Sequence, residues 1–195
     1  MVLTIAILLP LTIAIAAYIL APRFVQHRVI FDATPDRPVP FGLKMAWLAI
    51  RTRDTARVID VLGLVNPRPC NWNSGIGSVY DDELGEKHVF VSPPVSGWTF
   101  VVGLSLPYPV GRSFVDKCTP MLLRLGAEFI EVQYFFSYPP IDFFAWARIV
   151  HGRLIRAFAI GDEGTIWNRG KPTRDEKRLG LKLFEDSVAG GVVYT

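Results

Sequence analysis

From Val2 to Ala21 the chain carries no charged side chain. No other stretch restricts the fold as much. A surface helix of a globular domain keeps a polar face toward water, and this run has none. Roughly 20 apolar residues suffice to cross a bilayer as a helix. Residues 1–21 are therefore expected to be a single-pass transmembrane anchor rather than part of a folded domain. Pro10 lies mid-span, a position tolerated in membrane helices and poor in soluble ones. A cleaved signal peptide is the competing reading. It calls for a basic stretch ahead of the apolar run, and no Lys or Arg precedes it, although Ala16, Ala17 and Ala21 near its end leave cleavage open. Arg23 and Arg28 follow the run, which by the positive-inside rule favours a cytoplasmic domain. The expected location is the bacterial inner membrane, with a periplasmic domain as the open alternative.

Residues 22–42 are expected to form a proline-rich tether. "ATPDRPVP" places three prolines in eight residues, which no helix interior accommodates. Residues 43–195 remain for a single domain. Half of the chain is hydrophobic and 12% is aromatic, ample for a packed core. "LKMAWLAIRTRDTARVIDVLGL" spaces Leu43, Trp47, Ile50, Val58 and Val61 among basic residues and predicts one helix, stopped by Gly63 and Pro67. The Asn- and Gly-rich stretch after Cys70 predicts a loop and then a short strand near Ser78–Tyr80. "HVFVS" and "GWTFVVGLSL" predict an antiparallel hairpin joined by "PPVSG", its second strand central and buried on both sides.

Ser113 to Leu125 predicts a helix, with Ser113 as a cap and Pro120 either kinking it or moving its start toward Thr119. "EFIEVQYFFSY" predicts a strand, and "PPIDFFAWARIVHG" a helix ending at Gly152. "RLIRAFAIGDEGTIWNRG" predicts a hairpin, and "TRDEKRLGLKLF" a helix with a capping box between Thr173 and Glu176. Hairpins without strict β–α alternation predict an α+β domain: a mainly antiparallel sheet with packed helices.

The net charge is +3, with basic and acidic residues interleaved, so no nucleic-acid partner is expected. Cys70 and Cys118 match no zinc spacing. They predict free thiols in or near the core, with a disulfide between them open to a domain outside the cytoplasm. His27, His88 and His151 have no Cys, His or carboxylate at ligand spacing, so neither a metal nor a cofactor is expected. Ser105 lacks the G-x-S-x-G frame of a nucleophile elbow and reads as a strand residue. "SGIGS" lacks the pattern of a phosphate loop. No catalytic residue is assigned.

The sharpest exposed feature is "DDELGE", with Asp81, Asp82, Glu83 and Glu86. These carboxylates form either a solvated turn or an electrostatic contact with a basic partner surface, where rim charges set on-rate and specificity. The aromatics of "EVQYFFSY" and "DFFAWAR" predict core, with any remainder an exposed interface patch.

Several pieces between Cys70 and Glu176 carry a resemblance: "NW", "VSPPVSGWTFVVGLSLP", "EVQ" and "WARIVHGRLIRAFAIGDEGTIWNRGKPTRDE". Together they resemble small, uncharacterised α+β proteins of bacteria found beside secreted antibacterial toxins, such as those of type VI secretion. The resemblance implies an immunity protein, whose partner is a cognate protein toxin neutralised by direct binding. It implies no catalytic residue and no cofactor. A membrane anchor suits a guard against a toxin acting at the inner membrane. Two other readings stand beside it: a structural or sensory subunit of an envelope complex, and a membrane-tethered hydrolase.

Overall fold

The computed structural model describes residues 12–18, 29–110, 115–162 and 164–179. The chain divides into two compact units, residues 1–30 and 31–195. In the first, residues 12–18 are helical and exposed. No helix among the described residues is long and apolar enough to cross a membrane. The remainder of the expected span, Val2 to Ala21, lies outside them.

The second unit is α+β. Seven strands among the described residues form one antiparallel sheet: β1 (Met45–Ile50), β2 (Phe90–Val91), β3 (Thr99–Val102), β4 (Glu131–Tyr138), β5 (Phe143–Val150), β6 (Arg153–Gly161) and β7 (Gly164–Gly170). Their order is β2-β3-β1-β4-β5-β6-β7. Among the described residues four helices accompany them: α1 (Thr55–Leu62), α2 (Trp72–Tyr80), α3 (Cys118–Glu128) and α4 (Arg174–Arg178).

The single helix predicted over Leu43 to Leu62 is two elements. "MAWLAI" is β1, deep in the sheet between β3 and β4. Ala46, Leu48 and Ile50 belong to the core shared with α1 and α3, whereas Met45 and Trp47 belong to the core shared with α2. A strand apolar on both faces has no alternation to betray it, and a short apolar run is ambiguous by periodicity alone. The helix starts after Asp54, whose carboxylate accepts the Arg57 N–H at 2.9 Å. It ends at Gly63 in the left-handed conformation, as predicted.

The expected strand near Ser78–Tyr80 is instead the end of α2. Asn71 caps this helix by accepting the Ser74 N–H at 2.9 Å. Asp36 accepts the Trp72 and Asn73 N–H groups at 2.8 and 2.9 Å, so two of the helix's orphan donors are met by a negative charge. Residues 31–42 thus have no regular structure but are tied to α2. Gly75 packs against the Phe90 ring so closely that a Cβ would overlap it. Of the glycines that look like a loop in the sequence, Gly75 lets the helix approach the sheet, whereas Gly77 faces open space.

β2 and β3 pair as the expected hairpin. Its turn is tighter than predicted: Val95 bridges Trp98, and Ser96 and Gly97 have φ of 52° and 86°, the positive pair of a two-residue turn. β3 lies second from the sheet's end rather than at its centre, although Val101 and Val102 are fully buried on opposite faces. α3 begins at Cys118, with Pro120 in its first turn, where the missing N–H costs nothing. Ser113 lies outside the described residues.

The helix predicted from Pro139 is a single 3-10 turn, Pro139–Ile141, followed by β5. Phe143, Ala145, Ala147 and Ile149 enter the core, while Phe144 and Arg148 are exposed. Aromatic residues on the outer face conceal this alternation. His151 therefore ends no helix. With Gly152 it makes the β5–β6 turn, at φ of 48° and 73°. The β6–β7 hairpin and the Thr173–Glu176 capping box of α4 are as predicted.

Candidate functional site

The acidic turn follows α2 directly. Asp81 is half-buried, and its carboxylate accepts the Glu83 and Leu84 N–H groups at 3.0 and 2.9 Å. The Gly85 N–H donates to Asp81 O at 2.8 Å, and the Lys87 and His88 N–H groups both donate to Leu84 O at 2.9 Å. His88 Nδ1 also lies 2.8 Å from Leu84 O. A Cβ at buried Gly85 would come within 2.6 Å of Val79 O, so the backbone folds tightly onto the end of α2. The four predicted carboxylates are not equivalent. Asp81 organises the turn, whereas Asp82, Glu83 and Glu86 are exposed and their side chains have no bonding partner among the described residues.

Beside this turn opens a cleft of about 700 Å³. Its apolar lining includes Leu62 and Leu64 from the end of α1, Val89 before β2, Leu106 after β3, and Pro120 and Met121 of α3. Three exposed cations line it as well: Lys87, Lys117 and Arg124. None of them makes an ion pair among the described residues. The carboxylate on the lining, Asp116, is committed to α3: it accepts the Cys118 and Thr119 N–H groups at 2.8 and 3.1 Å and the Thr119 hydroxyl. The lining thus carries three cationic side chains against one carboxylate.

Sequence reading missed this cleft because the cations are interleaved with acids along the chain. A signal was present: Lys117, Met121 and Arg124 recur at helical spacing and so share one face of α3.

The remaining polar residues serve the fold. Ser105 lies in the turn after β3, not in the strand, and its hydroxyl donates to His88 O at 3.0 Å. His88 packs against the Phe31 ring at 6.2 Å. His27 lies outside the described residues. Cys70 and Cys118 are free thiols. Burial, helped by the nearby Asp116 charge and opposed by the Tyr134 hydroxyl, pushes Cys118 up to about 12. Burial and the Asp36 charge also raise Cys70. Neither is a ready thiolate nucleophile at neutral pH. Among the described residues no group of His, Cys, Asp and Glu could hold a metal ion.

Arg156 is fully buried in β6 and reaches Glu176 of α4. Its Nε donates to both Glu176 carboxylate oxygens, at 2.9 and 3.1 Å, and its Nη1 donates to Asn168 Oδ1 at 2.6 Å. Burial alone would raise the Glu176 carboxyl, but hydrogen bonds from Arg156 and Thr173 hold it below its ordinary value. The capping box was legible in the sequence; its buried cation was not.

No known family model matches this chain, and neither a curated protein nor a solved structure is matched by it.

Proposed function

We propose that the chain is a membrane-anchored binding protein that neutralises a cognate antibacterial toxin by direct contact. Residues 2–21 hold it at the membrane, and the folded unit presents the binding surface. The observation that carries this reading is the fixed turn at Asp81–Glu86. Its backbone is locked by Asp81, Gly85 and Leu84, yet Asp82, Glu83 and Glu86 are left exposed. A preorganised set of like charges engages a basic surface without the entropic cost of ordering a loop, and it speeds encounter by electrostatic steering. Mechanistically this is occlusion: the turn seats against basic residues of the toxin, and the sheet-and-helix body covers its working surface.

The test is survival of a susceptible strain that expresses this chain while exposed to the toxin encoded beside it. Protection is expected from the native chain and should be lost in D82K/E83K/E86K. An unprotected strain carrying the native chain defeats the reading.

A further inference from the structure

We propose that the cleft between the end of α1, the approach to β2 and the start of α3 binds a free single-chain anionic amphiphile: an alkyl chain ending in a carboxylate or a similar anion. At about 700 Å³ the cleft falls within the roughly 300–1,000 Å³ typical of small-molecule sites. Two properties of its lining specify the ligand. Leu62, Leu106 and Met121 supply apolar contact for a chain. Lys87, ahead of β2, meets Lys117 and Arg124 of one α3 face at the same cleft, three cations against the single carboxylate Asp116, which caps α3. Long basic side chains lay their methylene stems along an apolar guest and keep their charges at the water boundary, which suits an anionic head at the mouth.

An alkyl chain fits better than a peptide. The Ser105 hydroxyl already donates to His88 O, and Asp116 is already bonded. Peptide N–H groups entering this lining would lose water and find few side-chain acceptors in its place, and that is costly. An alkyl chain loses nothing by leaving water. This site is separate from the exposed carboxylates of the acidic turn and does not depend on their role.

The full-length chain, in membranes of the cells that express it, is exposed to a diazirine-bearing alkyl carboxylate and irradiated; the label is then mapped by mass spectrometry. Labelling is expected on the peptides holding Val89, Leu106 and Met121. Dodecanoate should displace it, whereas dodecyltrimethylammonium, with the same tail and the opposite charge, and acetate, with the head alone, should not. K117E/R124E should cut labelling at least tenfold while leaving the circular dichroism spectrum unchanged; should that variant misfold, K87E carries the same comparison. Equal displacement by the cationic amphiphile overturns the proposal, as does labelling unchanged by charge reversal. Labelling that follows the phosphatidylglycerol content of the membrane rather than free dodecanoate means a lipid surface, and it overturns the proposal too. So does an absence of label in the cleft.

Discussion

Two charged regions of the folded unit use their charges in opposite ways. At the β6–β7 end, Arg156 is wholly buried and Glu176 nearly so, and they are bonded to each other, to Asn168 and to the cap of α4. At the β2 end, Asp82, Glu83 and Glu86 on one side, and Lys87, Lys117 and Arg124 on the other, lie exposed without ion pairs among the described residues. The first region spends its charges on holding a short helix to the sheet. The second holds its backbone with one carboxylate in each place, Asp81 in the turn and Asp116 at α3, and leaves the other charges unspent. Charges that the fold does not use are the ones available to a ligand or partner. That difference separates scaffold from candidate surface in this molecule.

The largest effect should come from the buried pair. Removing one partner strands the other, which typically costs about 3–5 kcal/mol. Glu176→Gln is expected to lower stability by about 3 kcal/mol in urea unfolding, since Asn168 and backbone carbonyls still hold Arg156. The double replacement R156M/E176L should cost much less than the sum of the single changes. Additive losses would place the Arg156 charge outside the pair's control.

The same pair sets an acid limit. Glu176 and Glu131 are both held below their ordinary carboxyl value; in Glu131, bonds from Arg148 and Gln133 outweigh the effect of burial. Carboxyls lowered in the folded state contribute stability above their unfolded value, and that contribution is lost as pH falls through the folded one. Stability should therefore decline below pH about 4.5, and Glu176→Gln should flatten part of that decline. A titration slope identical in the variant would break the assignment.

At alkaline pH the sign reverses. Cys118 is raised from 9.0 to about 12, so its neutral form stabilises the fold fully below pH about 9, and that contribution is lost as pH rises toward 12. In thiol labelling, half-buried Cys70 should react in the native state. Cys118 should react about a hundredfold more slowly, awaiting local opening. Equal rates would show that the core beneath α3 is open.

The smallest effects divide the acidic turn itself. Asp81→Ala should destabilise by about 1 kcal/mol, the usual cost of losing a side-chain cap on backbone N–H groups. Asp82→Ala, Glu83→Ala and Glu86→Ala should each stay within about 0.5 kcal/mol, as exposed substitutions do. Four equal losses in thermal unfolding would erase the distinction between structural and unspent carboxylates.

Much of the fold is readable in local chemistry. The β6–β7 hairpin, the strand β4, the β2–β3 pairing, the late start of α3 and the Thr173–Glu176 box each depend on neighbours within a few residues. Three elements are not readable that way. β1 and β5 look helical because one is apolar on both faces and the other carries Phe144 and Trp146 outward, so period two is hidden. α2 looks like a loop because Gly75 and Gly77 occupy its interior. Of the site, the acidic turn is visible as a run of carboxylates; the cleft is not, because its lining gathers residues from Leu62 to Arg124.

The sequence by itself determined the class of this protein, its hairpins and caps, and the presence of an acidic turn, since those follow from local propensity, turn chemistry and composition. Tertiary structure alone decided that "MAWLAI" is an inner strand, that Asp81 belongs to the scaffold while its neighbours do not, and that Lys87, Lys117 and Arg124 meet at one cleft. Burial on two faces, and the pairing or sparing of a charge, depend on residues distant in the chain.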